Sequence, residues 1–183
     1  AFEIDDEGNA EEKAEYIVSG WNNFFRPVFA DTRIIGIGTN DEEGNKMAVS
    51  LYDISDLSNP NPFIARQEVT ASDYSWSEAS FDDRAFSIIE NSISVQAPDS
   101  EINETGLILL PFSGYDSDNY KYVNAVQMFS FSENTLTQRG ILSHGSPVRR
   151  SFNPQDNTTA NISEKELSLF NTRNPDSPVE MGK

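Results

Sequence analysis

Short apolar runs, separated by polar turns, recur along most of the chain. In Met47–Ile54 an apolar set of side chains repeats with a period of two, and the apolar run Arg33–Gly38 precedes it. A period of two places alternate side chains on opposite faces of a strand. Because Thr39–Lys46 is rich in turn-forming residues, we expect the two runs to pair as a hairpin.

Further runs of strand length follow in the rest of the chain, at Arg84–Ile89, Gly106–Phe112, Tyr122–Phe131, Leu136–Leu142 and Glu166–Phe170. The longer polar segments Glu90–Thr105 and Ser113–Tyr120 are interpreted as insertions on one face. The acidic segment 5–15 indicates one or two helical turns around Ala10–Ala14. Nothing sustains a helical period elsewhere, so the pattern predicts an all-β fold of antiparallel strands.

One strand-and-turn pattern recurs. Ser50–Pro60 (SLYDISDLSNP) and Ser168–Pro178 (SLFNTRNPDSP) share it 118 residues apart, and Met128–Asn134 has a similar shape between them. A comparable lead-in segment precedes each copy: Phe25–Arg33, Ser77–Arg84 and Arg149–Asp156. The spacing suits four-stranded propeller blades, with approximate boundaries at 16–70, 71–143 and 144–183. The alternative is that a β-rich chain shows such echoes by chance.

The charge balance excludes one class of partner. Acidic residues number 30 against 13 basic ones, for a formal charge of −17. Nucleic acid binding needs Lys and Arg to displace counterions, so we expect no nucleic acid partner. The absence of Cys excludes disulfides and thiolate metal sites. No apolar run approaches the roughly 18 residues of a membrane-spanning helix, so we expect no membrane span.

Several segments, taken in order, resemble a known family: Ser19–Gly38 (SGWNNFFRPVFADTRIIGIG), Ser50–Pro60, Tyr74–Phe86 (YSWSEASFDDRAF), Arg139–His144 (RGILSH) and Arg149–Ser151 (RRS). In this order they are similar to the C-terminal part of a family of secreted prokaryotic β-propeller proteins, over roughly residues 16–181. Arg26 departs from the family pattern, which has His before the Pro, and Asp56-Leu57 departs from its Asp-Pro step.

The resemblance implies a secreted or cell-surface protein without established catalytic residues. Propellers usually close with four to eight blades, because each blade needs neighbours on both apolar faces. We therefore expect about three blades of a larger propeller. The partners would be the remaining blades of a longer chain or another protein.

No catalytic residue is predicted. His144, the single His, lies in a turn-like SHGSP segment, where a structural role at a blade junction is expected, and no second group marks a nucleophile beside it. Paired carboxylates leave one alternative open: Glu78 with Asp82 or Asp83 as acid and base of a propeller-type hydrolase acting on glycans or peptides. That alternative requires an acidic pocket holding both groups, with at least one raised pKa.

Two kinds of binding residue are predicted. Tyr74 and Trp76, in a Ser-rich setting, predict a groove for carbohydrate or peptide. Most of the other clustered aromatic residues are expected in the core between blades. These other residues are Trp21, Phe24, Phe25, Phe29 and Phe81. Acidic turns could bind calcium, which prefers several oxygen ligands in a flexible loop. The candidate calcium ligands are Asp41, Glu43, Asp116 and Asp118. The alternative for both turns is a solvated acidic tip.

Taken together, the sequence predicts a non-catalytic extracellular binding or scaffolding module that forms part of a β-propeller. The hydrolase is one alternative. A structural subunit of a surface assembly is the other.

Overall fold

The computed structural model describes residues 2–13, 15, 20–41 and 45–183. Within these residues every strand pairing is antiparallel, and helical structure is confined to one 3₁₀ turn at Glu78–Ser80. The all-β prediction is confirmed. No helix in the described part of the chain is long and apolar enough to cross a membrane.

The predicted helix near the N-terminus is wrong for the described residues. Strand β1 (Phe2–Ile4) pairs with β2 (Ala10–Glu12) in a hairpin. The Asp5 carboxylate closes the turn by accepting hydrogen bonds from the backbone N–H groups of Glu7 and Asn9 at 2.9 and 2.8 Å. Such local side-chain bonds favour turns over helix.

Sheet 1 is a four-stranded meander formed by β3 (Trp21–Val28), β4 (Arg33–Asn40), β5 (Lys46–Asp53) and β6 (Phe63–Glu68). The pairing of β4 with β5 confirms the predicted hairpin. Gly38 in β4 faces the bulge in β3, where a Cβ atom would overlap the carbonyl oxygen of Trp21. Glycine is therefore required there for the close approach of two backbones.

Sheet 2 has an interrupted first strand. β7 (Tyr74–Trp76) and β8 (Ser87–Ile89) pair with opposite ends of the same long strand. Between them, the Ser77 hydroxyl accepts a hydrogen bond from the Ala79 N–H and donates to the Pro111 carbonyl, which anchors the loop. A separate two-stranded hairpin, β9 (Val95–Gln96) and β10 (Asn103–Glu104), lies inside the segment 90–105. The rest of sheet 2 comprises β11 (Gly106–Asp116), β12 (Lys121–Phe131) and β13 (Leu136–Ser143).

Sheet 3 is again a four-stranded meander, formed by β14 (Arg150–Gln155), β15 (Thr158–Ile162), β16 (Leu167–Asn171) and β17 (Val179–Gly182). The repeated segments recognised in the sequence start on equivalent strands. Ser50–Tyr52 lies on β5, Met128–Phe131 on β12 and Ser168–Phe170 on β16, the third strand position of each sheet. Their common pattern therefore reflects a common place in the fold.

Two apolar clusters hold the three sheets together. The first lies between sheets 1 and 2, where Ile35, Val49 and Leu51 pack with Leu110 and Phe129. The second lies between sheets 2 and 3 and contains Leu107, Leu109, Met128, Leu142 and Phe170. Sheet 2 is thus covered on both faces, because its strands alternate side chains between the two clusters.

A buried ion pair joins sheet 2 to the β9–β10 hairpin. Arg139 on β13 bonds Glu104 on β10 at 3.0 Å, and both side chains are almost fully buried. Its other guanidinium nitrogen reaches Asp176, in the loop before β17, at 3.2 Å. The adjacent Gly140 N–H donates to the Pro175 carbonyl of the same loop. One arginine therefore links the insertion, sheet 2 and sheet 3.

Candidate functional site

Six side chains form two rows on one face of sheet 2, at the end where a turn joins β11 to β12. The first row is Tyr74, Tyr115 and Tyr122, which are direct partners across β7, β11 and β12. The second row, two residues further along each strand, is Trp76, Ser113 and Asn124. Side chains directly opposite one another, and those two residues apart, share a face of a sheet. We call this set the aromatic face.

The rings of the aromatic face are in contact and open to solvent. Tyr74 and Trp76 stack with centroids 6.0 Å apart, and Tyr115 meets Tyr122 edge to face at 5.2 Å. Trp76 is 48% exposed and Tyr122 is 71% exposed. Large exposed aromatic side chains grouped in this way are typical of binding surfaces.

The aromatic face lies on the side of sheet 2 that sheet 3 already covers. Leu107 and Leu109, on the same face of β11, are buried in the cluster with sheet 3. Further along β11 the cover ends at Pro147 and Val148, which line a small cavity with Trp76. The exposure of these rings is therefore not caused by the lack of a neighbouring sheet on this face.

Other exposed aromatic residues have a different setting. On the face of sheet 1 away from sheet 2, Tyr52 packs between Phe25 and Phe63, with centroids 6.3 and 6.0 Å away. On sheet 3, Phe152 and Val179 are also exposed. Trp21, Phe25 and Phe81, from the set expected mostly in the core between blades, are exposed in this chain. Phe24 and Phe29 do pack against the core, as expected.

The comparison with known families decides the architecture. The family model of the Beta propeller domain matches residues 1–165, most of the chain. The chain belongs to the β-propeller domain family. Sheets 1, 2 and 3 are accordingly called blades 1, 2 and 3 below. The comparison with curated proteins found no match, and neither did the comparison with solved structures.

The predicted acid and base pair does not form a catalytic arrangement in this propeller. Glu78 is ion-paired with Arg149. Asp82 accepts hydrogen bonds from the backbone N–H and guanidinium of Arg84, which lower the pKa of Asp82. Asp82 is not among the residues around the small cavity that Glu78 lines. A general acid needs a raised pKa and a place in the same pocket.

The single histidine lies buried at the junction of blades 2 and 3. His144 Nδ1 is 2.8 Å from the Ser168 hydroxyl, and Nε2 is 3.5 Å from Glu166. These are the groups of a Ser-His-acid triad, but Ser168 is fully buried and offers no approach to a substrate. Burial lowers the pKa of His144, against the smaller opposing effect of Glu166, and therefore favours the neutral imidazole. The expected position at a blade junction is confirmed, and the structural role stays a prediction.

Two of the predicted calcium ligands share a cleft. Asp116 and Asp118 line a cleft of about 330 Å³ with Asp73 and Lys46. Hydrogen bonds from the side-chain amide and backbone N–H of Asn119 lower the pKa of Asp116, so this carboxylate is ionised. Lys46 lines the same cleft, and its positive charge competes with any bound cation.

Of the other two predicted ligands, Asp41 is not among the residues that line this cleft. Glu43 lies outside the described residues. In the described part of the chain no group of three or more His, Asp or Glu side chains is arranged to hold a metal ion. Calcium binding stays a prediction.

Sequence reasoning found Tyr74 and Trp76 but missed four members of the aromatic face. It interpreted Ser113–Tyr120 as an insertion, which is wrong, because β11 continues to Asp116 and β12 starts at Lys121. A signal was present. Asp116 and Asn119 are turn formers, and a tight turn between them places Tyr115 opposite Tyr122.

Proposed function

We propose that the chain is a non-catalytic, extracellular binding module of a β-propeller, and that its ligand binds to the aromatic face of blade 2. The observation that carries this proposal is the position of four rings beyond the cover of blade 3, three of them exposed and one, that of Tyr115, half-buried. Tyrosine and tryptophan supply large contact areas at a low cost in conformational entropy. The resemblance to secreted propeller proteins supports the extracellular location.

A binding role is favoured over turnover by the state of the nearest carboxylates. Glu78 and Asp82 are both held by arginine side chains, and the pKa of Asp82 is lowered. An ionised, paired carboxylate is a poor general acid. These groups are therefore proposed to fix the loop 77–86 beside the aromatic face.

A scaffolding role for the outer faces of blades 1 and 3 is proposed beside this one. Phe25 and Phe63 on blade 1, and Phe152 and Val179 on blade 3, present apolar surface to solvent. Blade faces are normally covered by neighbouring blades. These faces are proposed to contact further blades or a protein partner.

The binding role is tested with the full chain on arrays of defined glycans and defined peptides. We expect saturable binding to members of one array, and at least a fivefold loss of signal in Tyr74→Ala and Trp76→Ala. The side chains are exposed, so these variants should keep the circular dichroism spectrum and melting temperature of the parent.

The chemistry of the bound ligand provides the decisive control. A ligand recovered by mass spectrometry should be unchanged in mass after prolonged incubation. Release of a cleaved product, abolished in Tyr74→Ala and Trp76→Ala with the fold intact, would contradict the proposal and favour the hydrolase. Absence of binding on both arrays would also contradict it.

A further inference from the structure

We infer that the ligand of the aromatic face is a neutral polysaccharide chain. This inference rests on the proposed binding function and names its ligand class. It is carried by three properties of the face: its lack of charge, the kind of polar groups between its rings, and its dimensions.

The aromatic face carries no charged side chain. Its members are three tyrosines, a tryptophan, a serine and an asparagine. Asp73 comes directly before Tyr74, and Asp116 comes directly after Tyr115. Because side chains alternate between the two faces of a sheet, these two carboxylates point to the opposite face. They line the cleft with Lys46 there. In a chain of net charge −17, an uncharged surface of this size is a distinct feature.

The absence of charge on the aromatic face also favours a sugar over a peptide. An acidic protein that captures peptides by charge complementarity would place carboxylates among the rings, to pair with Lys or Arg. Here Glu78, the carboxylate nearest to Trp76 in sequence, is already paired with Arg149. A neutral ligand has no ionic requirement to satisfy on this surface.

The polar groups between the rings suit sugar hydroxyls. The Ser113 hydroxyl donates to the Asn124 side-chain oxygen at 2.8 Å. The Asn124 amide N–H groups, which have no hydrogen-bond partner among the described residues, remain to donate to a ligand. Sugar rings combine apolar C–H faces, which pack on aromatic rings, with hydroxyls that both donate and accept. Rings with a few fixed neutral polar groups match that combination.

The size of the face fits a chain rather than a single sugar. Three strands about 4.8 Å apart span about 10 Å, and residues two apart along a strand are about 7 Å apart. This area accommodates about two sugar rings side by side. The face is open beyond Tyr122, at the tip of the β11–β12 hairpin, so a longer chain can continue past it. At the other end Pro147 and Val148 bound it.

Tryptophan fluorescence tests the inference directly. The chain has two tryptophans, so Trp21→Phe leaves Trp76 as the single reporter, at the centre of the site. The probes are the hexasaccharides of cellulose, chitin, xylan, mannan and amylose, with polygalacturonate as a charged polymer. We expect at least one neutral hexasaccharide to shift Trp76 emission saturably. The corresponding monosaccharide should bind at least about tenfold more weakly, because a single ring covers only part of the face.

Matched ring variants locate the site. In the Trp21→Phe background, Tyr74→Ala and Tyr122→Ala should each weaken binding about tenfold, since each removes a stacking ring. Tyr122→Phe keeps the ring and should stay within about threefold of the parent. Tyr120→Ala removes a tyrosine that is more exposed than either Tyr74 or Tyr122, lies in the adjacent turn and belongs to neither row, and it should leave binding unchanged.

The outcomes separate this inference from the proposed function. Calorimetry repeats the titration without relying on the reporter. If no neutral hexasaccharide binds by either method, or if only polygalacturonate binds, the inference is overturned. If the peptide array then shows binding that Tyr74→Ala abolishes, the binding function stands with a peptide ligand. If neither array shows binding, both the inference and the proposed function fail.

Discussion

Replacement of Arg139 by methionine should be among the most destabilising single changes in the chain. The Arg139 side chain is only 4% exposed, and the Glu104 side chain is fully buried. Besides the ion pair, the guanidinium donates to the Ser130 hydroxyl at 2.7 Å and to the Gln96 carbonyl at 2.7 Å. Methionine fills much of the volume but leaves the Glu104 carboxylate without its cation.

The magnitude follows from the burial of the remaining charge. Removing one partner of a buried ion pair costs about 3–5 kcal/mol, because the other charge stays desolvated and uncompensated. Glu104 keeps hydrogen bonds from Ser130 and Thr137, which offset part of the cost. We therefore expect Arg139→Met to lower the free energy of unfolding by about 3 kcal/mol, at the low end of that range.

Urea unfolding at neutral pH, followed by circular dichroism and fluorescence, measures the effect by linear extrapolation. Arg84→Met is the matched control, because it removes an exposed arginine paired with Asp82 and should cost far less than Arg139→Met. The double variant Glu104→Gln/Arg139→Met should cost about 1–3 kcal/mol less than the sum of its single variants. A loss below about 1 kcal/mol in Arg139→Met, or strict additivity, would refute the reasoning.

Three further predictions follow from single contacts. Burial lowers the pKa of His144 below 6.5, so the unfolded chain binds the proton more readily than the folded chain, and the free energy of unfolding should fall as the pH drops below 6.5. Urea unfolding from about pH 7.5 to about pH 5 measures this loss of stability, and His144→Gln should make the loss smaller. Gly38→Ala should cost about 1–3 kcal/mol of unfolding free energy, since the methyl group overlaps the Trp21 carbonyl; a melting temperature equal to that of the parent would contradict this. Light scattering should show self-association of the full chain that decreases in Phe25→Ser, and a concentration-independent monomer in both would argue against an interaction at the outer face of blade 1.

The strands of this propeller were largely predictable, because each lies between turn-forming residues and alternates its side chains. The common strand position of Ser50–Tyr52 and Ser168–Phe170 was recoverable from spacing alone. The N-terminal helix prediction failed because the composition of Ala10–Glu12 favours helix, whereas pairing with Phe2–Ile4 satisfies its backbone as a strand. Local preference is a weak guide for three residues when a partner strand is available.

The aromatic face was only half predictable, for a reason of tertiary geometry. Two of its rings, Tyr74 and Trp76, are two residues apart on one short strand, and this spacing places them on the same face of the sheet. Tyr115 and Tyr122 join them only through the register of the β11–β12 hairpin. Whether any of these rings is buried depends on where blade 3 ends, and that boundary is set by packing between distant segments.

The difference in strand length between blades 2 and 3 explains why a binding surface arises here. β11 and β12 have 11 residues each, whereas the strands of blade 3 have between 4 and 6. A shorter blade cannot cover the full face of a longer one, and the excess consists of the two outer rows. Their residues must tolerate water on that face, and tyrosine, tryptophan, serine and asparagine do so while still packing on one another. A repeat that is longer than its neighbour thus exposes a surface without disturbing the core beneath it.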